Sequence, residues 1–482
     1  MFALPQLLSL TAEQPVHFIG VGGIGMSAIA GILAERSYNV TGSDPKQSAQ
    51  SQRLRQQGAR VFQQQNAATI NAICSGVDRD PLVVVSSAVP EENPELQAAR
   101  QVGLRVVHRS ELLAWLINDQ RSIAVAGSHG KTTTSSLIAS LLHDAGMDPT
   151  AIIGGVVPAF GSNARNGSSD LLVAEADESD GSLVRFHPHL GLITNLELDH
   201  TDHYPNLEAL IGTMRRFSSN CSSVLANRDC PVLSAELQAD HWWSLEENSQ
   251  AHFRAVPLNL DGAGCRADYL EDGRRLGELV LPMAGRHNLS NALAAVAACR
   301  LAGAHFADLE QALGQLVPPG RRFDLRGEWQ GRLVVDDYAH HPSEVDATLT
   351  MAQLMVSSGR STLPWAPKRV VAVFQPHRFS RTAQFMERFA QALSSADEVL
   401  VAPLYSAGEA PIEGVSSAAL AEQVQINGQS ARAFADMDSL VEAVQEISNE
   451  GDLVLVMGAG DVNQLWDRMQ ANADREGFAK AA

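Results

Sequence analysis

Residues 124–136, AVAGSHGKTTTSS, are the types that hold a phosphate. An apolar run precedes them and a helical pattern follows. Gly127 and Gly130 let backbone N–H groups approach phosphate oxygens, and a helix start adds partial positive charge. Lys131 can reach the β- and γ-phosphates of a nucleotide, and Thr132 or Thr133 can offer a hydroxyl to Mg2+. The strict pattern G-x-x-x-x-G-K-[ST] fails at its first position, which is Val125. The alternative, a ligand-free turn between strand and helix, leaves GKTTT without a purpose.

A metal beside those phosphates needs oxygen or nitrogen ligands. The run EADESD supplies Glu175, Asp177, Glu178 and Asp180, and NLELDHTDH supplies Asn195, Glu197, Asp199, His200 and His203. Each follows an apolar strand pattern, and open α/β sheets place their sites at such strand ends. Either acidic run alone reads equally well as a solvated turn. The chain has four lysines, at 46, 131, 368 and 480, so Lys131 is the only one in the middle of the sequence. Further positive charge there must come from arginine, with Arg321 and Arg322 as candidates.

A second glycine turn lies upstream. Residues 17–44, HFIGVGGIGMSAIAGILAERSYNVTGSD, read as strand, turn, helix and strand. Gly20, Gly22 and Gly25 meet the dinucleotide pattern, and Asp44 follows nineteen residues after Gly25. The physics of such a turn specifies a diphosphate and not a nicotinamide. An NAD-dependent oxidoreductase therefore stands as one reading, but it gives GKTTT no task. A P-loop switch or motor is another, but it does not explain the histidine-rich turns further on.

These turns need a framework of parallel sheet. From residue 16 to about 118, strand and helix patterns alternate, implying right-handed βαβ units. A new unit opens near residue 121 and closes at GRRFDLRG near 326. A third runs to the C-terminus, with DDYAHHPSE and FQPHRFSRT each at a strand end. Domains are thus expected at 1–118, 119–326 and 327–482. The segment SSGRSTLPWAPK reads as a surface loop, and the last dozen residues as a fraying end.

Composition bounds the class. The chain has 482 residues, 45% of them hydrophobic, and a formal net charge of −19. Such acidity argues against general affinity for nucleic acid or anionic membrane. Five scattered cysteines without a CxxC pair fit reduced thiols in a cytoplasmic protein. The first residues lack the pattern of a signal peptide, and no apolar run approaches the roughly 20 residues of a membrane span.

HFIGVGGIGMSAIA, GSHGKTTT, EADESDGS, ITNLELDH, GRHNLSNALAA, GRRFD, DDYAHHPSE, FQPHRFSRT and YSAGEAP occur in that order. Together they resemble the Mur ligases, the ATP-dependent amide ligases of peptidoglycan synthesis, over nearly the whole chain. The resemblance implies an α/β protein of three domains: a Rossmann-like N-terminal domain for the UDP part of the substrate, a central P-loop ATPase-type domain, and a Rossmann-like C-terminal domain for the amino acid. It implies ATP-driven ligation of L-alanine to UDP-N-acetylmuramate through an acyl phosphate; separately, a monomer or homodimer is expected.

Residue by residue, the resemblance assigns ATP binding to Gly127, Ser128, His129, Gly130, Lys131, Thr132, Thr133, His287, Asn288 and Asn291. Catalysis falls to Lys131, Glu175, His200 and Arg322, and Mg2+, expected at two sites, to Thr132, Glu175 and His200. The UDP substrate falls to Gly22, Gly23, Ile24, Asp44, Ser86, Ser87, His108 and Arg109. The amino acid and muramoyl group fall to Asp337, Tyr338, His340, His341, His377, Arg378 and Arg381. Some family members use a carbamoylated lysine near the second metal. The helix NLEALIGTMRRF has no lysine, so a carbamate there is excluded. The nearest rival within the family joins a whole tripeptide to UDP-N-acetylmuramate.

Overall fold

The computed structural model describes residues 10, 11, 13–201 and 203–472, and the end expected to fray falls mostly outside them. The chain divides into two compact units. The first comprises the chain up to Leu196, Leu210–Trp243 and Ala294–Leu309; the second comprises Glu197–Ala209, Ser244–Leu293 and everything from Glu310.

The first unit opens with β1 (Val16–Ile19), α1 (Ile24–Glu35), β2 (Val40–Ser43), α2 (Ala49–Gln56), β3 (Arg60–Phe62), α3 (Ala67–Cys74), β4 (Leu82–Val85), α4 (Pro94–Gln101), β5 (Val106–His108) and α5 (Arg109–Asn118). The strands form a parallel sheet in the order β3-β2-β1-β4-β5, the doubly wound arrangement the alternation predicts. β1 is buried along its whole length, as a central parallel strand must be. Ile19, Ile70, Ile73, Val83, Leu96 and Ala99 build one core cluster. Each buried isoleucine, leucine or valine among them contributes about 2 kcal/mol. Two of these residues lie on α3, a helix absent from the sequence reading. Asn66 starts it, its side-chain oxygen accepting from the N–H groups of Ala68 and Thr69.

The unit continues with β6 (Arg121–Ala126), α6 (Lys131–Asp144), β7 (Thr150–Val157), β8 (Ser162–Arg165), β9 (Leu171–Glu175), β10 (Leu190–Ile193), α7 (Leu207–Asn220), β11 (Ser223–Asn227), α8 (Pro231–Glu236) and β12 (His241–Ser244). The sheet order is β12-β11-β10-β6-β9-β7-β8. All pairs are parallel except the β7–β8 hairpin. β6 therefore has β10 and β9 as neighbours, and three strand ends meet where the phosphate turn leaves β6.

The second unit holds an antiparallel meander of β13 (Phe253–Asp261), β14 (Gly264–Glu271) and β15 (Arg274–Leu281). The helices α9 (Arg286–Leu301) and α10 (Phe306–Leu313) follow in the chain and are divided between the units, Ala294–Leu309 belonging to the first. The larger sheet of the second unit uses β16 (Asp324–Trp329), β17 (Arg332–Asp337), β18 (Arg369–Phe374), β19 (Glu398–Val401), β20 (Ala431–Ala433) and β21 (Asp452–Met457). These are joined through α11 (Pro342–Ser358), α12 (Phe379–Leu393), α13 (Ser417–Ile426) and α14 (Met437–Ile447). The order is β16-β17-β21-β18-β19-β20, parallel but for the β16 edge. β17 and β18 flank β21, so the turns after them emerge side by side. In the expected surface loop, Leu363 and Trp365 fold back and pack against the core. Among the described residues no helix is long and apolar enough to cross a membrane.

Candidate active site

The phosphate turn after β6 is held from the end of β10. Gly127 has φ +119°, and a Cβ there would sit 2.3 Å from Thr194 Oγ1, so no other residue fits. The His129 N–H donates to Asn195 Oδ1 at 2.9 Å, while Thr194 Oγ1 and Asn195 Nδ2 donate to the His129 carbonyl. Gly130 is the N-cap of α6 in left-handed geometry, without a side-chain cap. The first turn of α6 thus keeps its N–H groups for a ligand, the arrangement that binds anions.

Lys131 Nζ donates to the carbonyls of Gly127 and Ser128 and to Glu178, whose two oxygens lie 3.0 and 2.9 Å away. Glu178 is fully buried. Burial works against the Lys131 charge, but the carboxylates of Glu178, Asp177 and Glu175 outweigh it and hold the ammonium above its ordinary range. Burial pushes Glu178 up to about 7 against the pull of Lys131. Beside this pair the Thr132 hydroxyl donates to Glu175 Oε1 at 3.1 Å, and the Gly154 N–H donates to Glu175 Oε2 at 2.8 Å. A hydroxyl and a carboxylate side by side, next to a phosphate turn, fit Mg2+, which takes one or two carboxylates and completes its shell with phosphates and water.

The glycine turn after β1 stands at the reversal of strand order, beside the turn of Ser86 and Ser87 that leaves β4. The N–H groups of Gly20 and Val21 donate to the Ser43 carbonyl, which fixes the turn against β2. Gly23 caps α1 without a side-chain hydrogen bond, and Ile24 is exposed. Asp44 Oδ2 accepts from the Gly22 N–H at 2.9 Å. The Arg109 guanidinium lies over Gly25, 3.0 Å from where a Cβ would be. His108 is engaged in structure: its ring accepts from the Ser110 N–H as the N-cap of α5, with Glu111 closing the box. Burial pulls the His108 imidazole down, with Asp180 opposing.

In the second unit the expected residues gather at the ends of β17 and β18. Tyr338 lies under the guanidinium groups of Arg321 and Arg322, at 4.8 and 5.4 Å from its ring centre. His340 packs edge-on against Tyr338 and against His377, which stacks on Tyr405 at 5.5 Å. Asp337 is buried and accepts from the N–H groups of Phe323 and Ala339; burial lifts it to about 6 against Arg322. Burial also lowers His377 to about 4, with His340, Arg381 and Arg378 adding to the effect.

Other assigned side chains have structural partners. Buried His341 caps α11. Arg381 is buried and gives two N–H groups to Asp199 Oδ1, at 3.1 and 2.7 Å. That carboxylate stays below its ordinary range because Arg381, with His200, His340 and His341, overcomes the effect of burial. Arg388 and the Ser343 hydroxyl hold Glu197. The runs ELDH and HRFSR are thereby joined, a link the sequence does not announce. Glu409 of YSAGEAP accepts from the N–H and hydroxyl of Ser380, orders the start of α12, and faces Arg378. His200 has φ +51° and sits beside Asp199. Asn288 donates to the Ala284 carbonyl ahead of α9, and Asn291 is half-buried one turn on. The half-buried His287 is held near 4 by desolvation.

Three family descriptions match the chain: the Mur ligase family catalytic domain over residues 15–121, the Mur ligase middle domain over 125–299, and the Mur ligase glutamate ligase domain over 321–460. The chain is 87% identical over 479 residues to a UDP-N-acetylmuramate–L-alanine ligase of Synechococcus sp. (strain RCC307), covering 99% of this chain and all of that one. It is 58% identical over 467 residues to the protein of the same name from Prochlorococcus marinus (strain MIT 9303), covering 96% of each. The structure of the UDP-N-acetylmuramate–alanine ligase of Thermotoga maritima superposes with a TM-score of 0.78 at 26% identity, over 96% of this chain and 99% of that one. A murein peptide ligase of Psychrobacter arcticus shares the fold, with a TM-score of 0.67 at 22% identity over 95% of this chain and 98% of that one. The α/β fold, the two glycine turns and the three matched segments agree: the chain belongs to the Mur ligase family.

Proposed function

We propose that this chain joins L-alanine to the lactyl carboxylate of UDP-N-acetylmuramate with hydrolysis of ATP to ADP and phosphate. The observation that carries the reading is the constellation of Lys131, Thr132 and Glu175 around an uncapped helix start, in a chain that also holds a separate diphosphate turn. A carboxylate does not condense with an amine at neutral pH without activation. The carboxylate attacks the γ-phosphorus, ADP leaves, and an acyl phosphate forms. The amine of L-alanine attacks the acyl carbon, and the tetrahedral adduct expels phosphate to leave the amide. Position and charge neutralisation are what the protein must supply.

Lys131 turns from Glu178 to the γ-phosphate and balances its growing charge. The N–H groups at the start of α6 hold the other phosphates. Mg2+, held by Thr132 and Glu175 and at a second site by His200, would neutralise phosphate charge. Gly22, Gly23, Ile24 and Asp44 hold the UDP-sugar, with Ser86, Ser87, His108 and Arg109 on its uridine side. By the family resemblance, Arg322, His287, Asn288 and Asn291 are assigned to the nucleotide. Asp337, Tyr338, His340, His341, His377, Arg378 and Arg381 bind or position the amino acid and muramoyl group. The functional domains take the boundaries 1–118, 119–326 and 327–482, and the enzyme works in the cytoplasm as a monomer or homodimer.

Phosphate release with UDP-N-acetylmuramate, ATP and single acceptors tests the reading. L-alanine should support turnover, and a tripeptide should not. Turnover only with the tripeptide would assign the chain to the recycling ligases instead.

A further inference from the structure

The helix that begins at the first glycine turn is fastened at both ends to the β7–β8 hairpin. At its head, the side-chain amide of buried Asn163 donates to the Ile24 carbonyl at 2.7 Å. At its foot, Arg36 donates to Asn166 at 2.8 Å, and to Gln120 and Thr150 at 3.1 and 3.2 Å. The other arm of the hairpin runs alongside β9, with Ile152 opposite Ala174. Two residues further on, the Gly154 N–H meets Glu175 Oε2 at 2.8 Å. A Cβ at Gly154 would lie 2.6 Å from that oxygen and 2.8 Å from Oε1. Between Ile152 and Val157 the pairing with β8 shifts register, which leaves this stretch turned toward Glu175 rather than into the ladder.

We infer that the β7–β8 hairpin is a positioning bracket, in which Asn163 sets the first glycine turn and Gly154 sets the Glu175 carboxylate from one element. This rests on the reading above, that the turn holds the sugar nucleotide and Glu175 a metal. Neither residue touches a reacting atom, so both are positioning residues. The hairpin answers a need of that reaction. The lactyl carboxylate is carried by one turn and the γ-phosphate by the other, and attack requires an approach of about 3–3.5 Å. A displacement of roughly 1 Å costs about 100-fold in rate. Two turns on separate sheets hold that tolerance only if something joins them, and the hairpin does so, its β7 arm paired with β8 at Ala151, Ile152 and Val157 and with β9 at Thr150, Ala151 and Ile152.

Steady-state kinetics of the full-length Asn163→Asp, Asn163→Ala and Gly154→Ala variants test the bracket. Both Asn163 variants lose the donor to Ile24. They should lower kcat/KM for UDP-N-acetylmuramate by about 10- to 100-fold, with KM for ATP within about twofold of wild type. Gly154→Ala should raise the Mg2+ needed for half-maximal rate by about tenfold, with the calorimetric Kd for UDP-N-acetylmuramate unchanged. Wild-type kinetics in both Asn163 variants would overturn the bracket. So would KM values for both substrates rising in parallel with a fall in Tm, the pattern of a merely structural residue. A wild-type enzyme releasing no phosphate with UDP-N-acetylmuramate, ATP and L-alanine would instead overturn the underlying reading.

Discussion

The two glycine turns of the first unit share a plan and differ in charge. Each leaves a buried central strand, and each starts a helix capped by a glycine with no side-chain hydrogen bond, Gly23 for α1 and Gly130 for α6. At the first, a carboxylate, Asp44, already sits on a turn N–H, and a single guanidinium, Arg109, lies nearby. At the second, an ammonium is wedged among carbonyls and carboxylates, and the Thr132 hydroxyl donates to the Glu175 carboxylate beside it. A turn that only holds a diphosphate needs backbone N–H groups and an acceptor for sugar hydroxyls. A turn whose phosphate changes bonds must also balance charge that grows during the reaction.

Breaking the second turn should have the largest effect. Lys131→Ala should lower the rate of amide formation by about 1000-fold or more, the scale of a lost charge contact to a transferring phosphate. UDP-N-acetylmuramate should still bind with a Kd near that of wild type by calorimetry. The variant also removes the ammonium paired with buried Glu178, and breaking a buried pair costs about 3 kcal/mol. Lys131→Ala with Glu178→Gln should recover stability in a denaturant titration while remaining inactive. Glu175→Gln comes next, with a loss of Mg2+ affinity of about 10- to 100-fold in a metal titration of the rate. Asp44→Ala should weaken UDP-N-acetylmuramate by about tenfold, the scale of one hydrogen bond to a charged acceptor, and leave the KM for ATP alone.

The smallest effect concerns pH. His287 in the folded protein is held near 4 by burial, below its unfolded value of about 6.5. The unfolded chain therefore binds more protons between those values, so stability is complete above about 6.5 and is lost as pH falls toward 4. A His287→Gln variant should show a flatter dependence of Tm on pH across that window. A slope equal to wild type would remove His287 as a contributor.

Much of this was legible in the sequence because it is local. Glycine, lysine and threonine after an apolar strand mark a turn and a helix start without help from the rest of the chain, and the structure has both. The alternating pattern likewise gives the parallel sheets and places Glu175 at a strand end. What escaped was non-local or disguised. The ties from Asn163 to Ile24 and from Arg381 to Asp199 join residues far apart in sequence and leave no periodic trace. His108 and His341, read as ligand-binding residues, also cap helices. The signal was present as a glutamate three residues after each histidine, the spacing of a capping box, with Pro342 at a first helical position. The helix α3 was lost because its short apolar face between two strands resembles a loop.

The division of labour between the two turns is tested most directly by measuring phosphate release and amide product together, with UDP-N-acetylmuramate, MgATP and a panel of amino acids. One phosphate per UDP-N-acetylmuramoyl-L-alanine formed, with L-alanine as acceptor, is the predicted result. Phosphate release that needs neither sugar nucleotide nor amino acid, with no amide formed, would contradict it.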